Sequence, residues 1–228
     1  MLKFYYHNSP NPAKVALFLE ESGTPYEVVG VDIWAGAQHD SAYRAINPNG
    51  KVPAIDDDGV ILFDSAAILL YLAEKQDRFL GTPAERPQLL SWLMFVASGI
   101  GPFAGQAFHF LNVHKDSPYA TNRYTREIER QFSVLNKRLS ESEWLAGSSY
   151  TIVDMAAWGW LDLAERNQFI FGEDGPARWP HIKRWLDAIN ARPAAERARH
   201  AGDRLSMKTE FDEETVRALF PQNFTEAM

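Results

Sequence analysis

The sequence contains no cysteine. That excludes disulfide scaffolds, thiolate metal sites, a Cys-x-x-Cys redox pair and any protein thiol nucleophile. Histidines are few (His7, His39, His109, His114, His181 and His200), and none has the His-Glu-x-x-His spacing of a helical zinc site. Basic residues are outnumbered 23 to 30. The net charge of −7 and pI near 5.4 make nucleic acid and anionic membrane poor default partners, while leaving room for a local basic pocket. No internal repeat or low-complexity tract is present. No apolar run approaches the roughly 18–20 residues that span a bilayer, and residues 1–7 lack a signal-peptide layout. These absences predict a soluble, cytoplasmic protein without metal, nucleic-acid or membrane partners.

What is present favours a packed globular chain. Of 228 residues, 46% are hydrophobic and 13% aromatic, enough to build one large or two small domains. A β-type run at residues 2–6 precedes Asn11-Pro12, which reads as an N-cap followed by proline at the first helical position. The pattern predicts a helix to Gly23, a strand over 26–31, a loop with Gly36 and Gln38, and a short helix over 42–46. Two strands and a helix follow, so the first 77 residues have the order β-α-β-α-β-β-α of an α/β domain. After a linker around Gly81-Thr82-Pro83, strand signals stop and residues 85–200 read as all-helical. One long helix is expected over 88–114, kinked or closely approached at Gly99, Gly101, Pro102 and Gly105. Others are expected over 119–139, from Thr151-Ile152-Val153-Asp154 to Ala164, and over 182–191. Residues 201–228 form a polar, acidic tail in which Asp212 starts one short helix.

Residues 47–65 are the most informative. Asn47-Pro48-Asn49-Gly50 has turn chemistry, and Val52-Pro53-Ala54-Ile55 reads as a short strand whose proline fits an edge, a bulge or a cis turn. Asp57-Asp58-Gly59 signals a hairpin, Val60-Ile61-Leu62-Phe63 returns, and Asp64-Ser65 opens a strongly helical run. A helix N-terminus receives carboxylates, and main-chain groups before Pro53 can pair with an extended peptide. The stretch therefore reads either as a receptor for a short acidic peptide or as a plain hairpin before a capped helix.

Residues spread over positions 1–200 decide between these. Lys51-Val52-Pro53-Ala54-Ile55, Asp64-Ser65 with Ala67-Ile68-Leu69-Tyr71-Leu72-Ala73, Thr151-Ile152-Val153-Asp154-Met155-Ala156, and Trp185 with Ala191-Arg192-Pro193-Ala194 stand in one order. That set resembles the cytosolic glutathione S-transferases, with a thioredoxin-like domain followed by an all-α domain. Ser9-Pro10-Asn11, Gly36 with Gln38, Gly101-Pro102-Phe103-Ala104-Gly105-Gln106, and Arg130 with Val134-Leu135-Asn136-Lys137-Arg138-Leu139 are most similar to the bacterial nu class.

The resemblance implies glutathione as cofactor, in reduced or disulfide form. It implies a cis Pro53, Val52 pairing its main chain with the cysteinyl backbone, and Ser65 with the following N–H groups holding the γ-glutamyl carboxylate. Asp64 would take the ammonium, and Lys51 and Gln38 the glycyl carboxylate, with His39 alongside. Arg130 would reach the other subunit's ligand in a homodimer. Ser9 and Asn11 are the implied donors to the glutathione sulfur, with Tyr5 and Tyr6 as strand alternatives. Phe103, Gln106, Phe108 and Phe110 would line the second-substrate pocket or equally be core aromatics. The favoured activity is thiol–disulfide exchange with a small-molecule disulfide. The alternatives are transfer to, or release from, a hydrophobic electrophile, and a non-catalytic glutathione-binding regulatory module.

Overall fold

The computed structural model describes residues 1–167 and 175–224. Strand β1 (Leu2–Tyr6) leads into helix α1 (Pro10–Ser22), then β2 (Tyr26–Gly30), α2 (Ser41–Ile46), β3 (Ala54–Asp57), β4 (Val60–Phe63) and α3 (Ser65–Gln76). The sheet order is β2-β1-β3-β4, with β1 parallel to β2 and antiparallel to β3, and β3 antiparallel to β4. Phe4 lies opposite Val28 on one side and Ile55 on the other. Phe4 and Ile55 are fully buried, in one apolar cluster with α1, α3 and the helical half. On the other face a smaller cluster of Val31, Tyr43 and Val52 covers Tyr5.

Local chemistry sets the turns. Asp58 and Gly59 both take positive φ (52° and 95°), which suits the two-residue hairpin between β3 and β4. Asn47 Oδ1 accepts from the N–H of Asn49 at 3.0 Å, and Gly50 sits at φ 61°. The Val52–Pro53 peptide is cis, as expected, but both residues precede β3 rather than belonging to it. The start of α1 also differs from expectation. Ser9 is the N-cap and Pro10 the first helical residue, so Asn11 lies inside the first turn. Ser9-Pro10 and Asn11-Pro12 are both cap–proline pairs, and the chain uses the earlier one.

The helical half comprises α4 (Arg86–Phe95), α5 (Gly101–Phe108), α6 (Pro118–Glu141), α7 (Ile152–Asn167), α8 (Pro180–Asn190) and α9 (Pro193–Arg199); α10 (Glu213–Leu219) lies in the tail. Helix α9, opened by Pro193, lies beyond the helix expected over 182–191. Wide turns of π type at Val96–Ile100 and His109–Val113 follow α4 and α5. Pro102 has no N–H for the carbonyl four residues back, and Gly101 N–H goes instead to Val96. The expected close approaches are by side chains. A Cβ at Gly99 would lie 2.4 Å from Gln131 Oε1, and one at Gly101 3.2 Å from Trp160 Nε1.

The stretch Pro83–Val113 is long and apolar enough to cross a bilayer by length and composition, contrary to expectation. Its buried residues Leu89, Leu93, Val96, Ile100, Ala104 and Ala107 belong to the common core, as those of a central helix do. Helices α1 and α7 meet closely: a Cβ at Gly159 would stand 2.4 Å from the Pro10 carbonyl oxygen and 2.6 Å from Lys14 Cγ.

Asp154 anchors α7. Its carboxylate accepts from Thr151 N–H, Leu145 N–H and Trp185 Nε1 at 2.9 Å each, and from the Thr151 hydroxyl at 3.2 Å. Burial pushes its carboxyl up to about 6 against the pull of these donors. Replacing it leaves buried donors unpaired. Asp154→Ala is expected to lower the unfolding free energy by about 3 kcal/mol or more in denaturant titration. A change under 1 kcal/mol would show that the cap is dispensable.

Candidate active site

A cavity of about 710 Å³ lies between the two halves. The first turn of α1 contributes Asn11 and Lys14, the turn before β3 contributes Lys51, and the α3 N-terminus contributes Asp64 and Ser65. Gln106, Phe108, His109 and Phe110 face them from α5 and its π turn, Trp160 from α7, and Phe220 from the tail. One wall therefore carries two lysines and two helix starts, and the other is mostly aromatic.

Each polar group on the first wall is oriented. Asn11 Oδ1 accepts from Trp160 Nε1 at 3.1 Å, which leaves the Nδ2 donors for the cavity. Asp64 stands at φ 74°, and its Oδ1 caps α3 by accepting from Ala66 and Ala67 N–H at 2.9 and 3.1 Å. Lys51 has its carbonyl fixed by Tyr43 Oη and Asn47 Nδ2, both at 2.6 Å, while its side chain is exposed at the cavity. Lys14 is 2% exposed and donates to Ser65 Oγ at 3.3 Å. Burial lowers its ammonium to about 8, only partly offset by Asp64. On the opposite wall, burial and then neighbouring His114 lower the pKa of His109, whose Nδ1 has no partner among the described residues.

The tail forms the roof. Phe211 packs edge-on against Trp34 and Phe108, at 5.4 and 6.5 Å between ring centroids. Lys208 N–H donates to Asp32 at 2.7 Å, and Asp212 caps α10 through Thr215 N–H at 2.8 Å. The Ala218 carbonyl is 2.8 Å from both Gln38 Nε2 and His39 Nε2, and Phe220 meets His109 at 4.7 Å.

Of the residues singled out in the sequence, Asn11, Lys51, Asp64, Ser65, Gln106, Phe108 and Phe110 all line this cavity. Other expected residues do not reach the wall. The Ser9 hydroxyl donates to the His7 carbonyl at 3.3 Å. Tyr6 is buried in the core, and Tyr5 packs on Tyr43. Val52 and Pro53 are buried beside the site. Gln38 is buried and directed to the tail. Phe103 packs against Tyr124 of α6 at 6.3 Å, because the π turn before α5 shifts the helical phase. Arg130 lies on α6, paired with Glu127 at 2.6 Å, in a separate groove of about 450 Å³ with Trp92. Sequence reasoning missed Lys14, Trp160, His109 and Phe220. For Lys14 a signal existed: it stands three residues after Asn11, on the same face of α1.

Residues 4–83 match the glutathione S-transferase N-terminal domain, and residues 100–193 match the C-terminal domain. The chain belongs to the glutathione S-transferase family. Disulfide-bond oxidoreductase YfcG of Escherichia coli (strain K12) is 41% identical over 207 residues, covering 87% of this chain and 94% of that protein. A glutathione transferase from Burkholderia graminis, solved with two glutathione molecules per subunit, superposes with a TM-score of 0.80. It is 36% identical, with 90% of this chain and 89% of that one covered. A transferase from Pseudomonas putida, solved with one glutathione disulfide per subunit, gives a TM-score of 0.78. Its identity is 33%, with 87% of this chain and 90% of that one covered.

The tail contacts predict a local effect of truncation. In a chain ending at Thr209, amide exchange over residues 32–39 should rise by about tenfold or more in hydrogen–deuterium exchange, with α6 unchanged. Unaltered protection over 32–39 would show that the tail does not hold this loop.

Proposed function

We propose that the protein is a glutathione-dependent disulfide reductase. The observation that carries this reading is the Asn11 amide, held by Trp160 so that its donors face a cavity rich in cationic and helix-N-terminal groups, in a chain that has no thiol. The sulfur chemistry then belongs to glutathione. Its γ-glutamyl carboxylate goes to Ser65 and the α3 N-terminus, its ammonium to Asp64, its cysteinyl main chain to Val52, and its glycyl carboxylate to Lys51. Gln38 holds the tail instead, because its Nε2 is given to Ala218.

Free thiols, with pKa about 8.5, are only a few per cent ionised at pH 7. The Asn11 Nδ2 donors and the start of α1 favour the thiolate. That thiolate attacks one sulfur of a small disulfide, forming a mixed disulfide and releasing the other sulfur as thiolate, which takes up a proton. A second glutathione thiolate attacks the glutathione sulfur of the mixed disulfide and releases the second thiol. Two glutathiones become glutathione disulfide, and the substrate gains two electrons and two protons. A cavity of about 710 Å³ lies within the roughly 300–1,000 Å³ range of ligand pockets. The two glutathiones and the glutathione disulfide in the Burkholderia and Pseudomonas structures also support the reading. Dependence on the reduced glutathione pool points to the cytoplasm.

We take residues 1–77 as the glutathione-binding domain and 85–200 as the helical domain, and we take the working unit to be a homodimer. Val60, Ile61 and Phe63 on the outer strand β4 are 48%, 50% and 42% exposed, an apolar edge suited to a second copy. In that dimer Arg130 exchanges Glu127 for a carboxylate of the partner's ligand. A second reading, conjugation or thioether cleavage of a hydrophobic electrophile, draws support from the aromatic wall of Phe108, Phe110, Trp160 and Phe220.

Turnover of hydroxyethyl disulfide with glutathione should far exceed conjugation of an aryl halide, and the reverse order would overturn the proposal. Binding without either reaction would identify a regulatory module. Asn11→Ala should lower kcat/KM for the disulfide by about tenfold or more, the loss of one charge-assisted hydrogen bond. Ser9→Ala, which removes a hydroxyl outside the cavity, should cost less than about threefold.

A further inference from the structure

Lys14 has no part in the chemistry above, yet its setting is unusual for a lysine. Only 2% of it is exposed, and it has no ion pair within 4 Å among the described residues. Its hydrogen bond is to a neutral hydroxyl, Ser65 Oγ, at 3.3 Å. A buried cation without an anion in contact is costly, and an anion arriving beside it relieves that cost. The same side chain lines the cavity at Ser65, the first residue of α3 and the positive end of that helix, where the Ala66 and Ala67 N–H groups are taken by Asp64 Oδ1.

We propose that Lys14 is a positioning residue and fixed counter-charge for the γ-glutamyl α-carboxylate: its ammonium holds the Ser65 hydroxyl and supplies positive charge behind the start of α3. This rests on the glutathione reading of the site. The close approach of α7 makes the arrangement possible. Gly159 leaves room for the lysine stem, and a Cβ there would meet Lys14 Cγ at 2.6 Å. The stem is thereby confined and its amine kept at Ser65.

Few charges compete for it. Asp64, at the start of α3, faces Lys14 and favours its protonated form. On α7, Asp162 is paired with Arg199 at 2.5 Å, and Asp154 is occupied by its four donors. The other titratable side chains on the cavity wall are Lys51 and His109. With the ammonium near 8 in the free protein, the counter-charge is complete below that pH. It is lost as pH rises above it, until the higher pKa of the liganded state is reached.

The test is calorimetric titration with S-methylglutathione, whose sulfur does not ionise, and with its 4-aminobutyryl analogue, which lacks the α-carboxylate. Wild type and Lys14→Met are compared from pH 6.5 to 9, with each affinity referred to the ammonium form of the ligand, whose own titration is measured in free solution. Wild-type affinity for S-methylglutathione should be level to about pH 8 and fall above it. Lys14→Met should bind about tenfold or more weakly at pH 7 with a level profile, and the analogue should lose less than about twofold. Equal losses for both ligands, or an unchanged fall in the variant, would overturn the proposal. If Lys14→Met does not fold, the wild-type profiles decide. A fall above pH 8 for S-methylglutathione alone supports the proposal, and one shared by the analogue, or absent, overturns it. No wild-type binding of either ligand at millimolar concentration overturns the glutathione reading itself, and this proposal with it.

Discussion

The contact of α1 with α7 at Gly159 is the constraint on which the site depends. The glycine lets the Pro10 carbonyl and the Lys14 stem approach to distances that a methyl group would block. That approach brings Trp160 to the Asn11 oxygen, turns the amide donors outward, and buries Lys14 against Ser65. Glu21 and Glu20 of α1 hold Arg192 and Arg197 of the helical half, and Ile152 N–H bonds to the Phe79 carbonyl at 3.0 Å. The cavity is the space left where the halves diverge from this seam. Its polar wall comes from one half and its aromatic wall mostly from the other.

This arrangement separates fixed from adjustable parts. Asp64 and Ser65 sit at a helix start that Asp64 itself caps, and Asn11 lies in the first turn of α1, held by Trp160. The roof is held by ring contacts, a capped helix of seven residues, the Lys208 N–H on Asp32 and two donors on Ala218. Binding groups on helix ends keep their geometry, while a roof with so few bonds opens at modest cost. In the proposed reaction the polar wall takes glutathione, and the aromatic wall and roof take the second substrate.

Much of this was legible in the sequence because it rests on local chemistry. Asp58-Gly59 dictates a tight hairpin, Asn47 to Gly50 a turn, and Asp64 a helix start, and each formed where the residues demand. The α/β-then-helical order followed from where strand signals stop. The failures share a different cause. Two cap–proline pairs stand two residues apart at the start of α1, and only the packing of Pro10 against α7 distinguishes them. Phe103 left the cavity because a missing N–H at Pro102 re-phases the helix, which periodicity alone does not reveal. Lys14 was missed because its burial depends on α7 lying across it, which the pattern of α1 alone does not reveal. Gln38 reads as a ligand contact until the tail, 180 residues further on, returns to take its amide.

In the proposed reaction, glutathione sulfur reacts at the Asn11 amide, in the cavity shaped by this seam. A crystal structure of the protein soaked with glutathione disulfide tests it most directly. A sulfur should lie within hydrogen-bond distance of Asn11 Nδ2, with one γ-glutamyl carboxylate on Ser65 and the second half of the ligand against Phe108 and Phe110. Sulfurs lying beside Tyr6 or outside the cavity, with Asn11 contacting only Trp160, would contradict it.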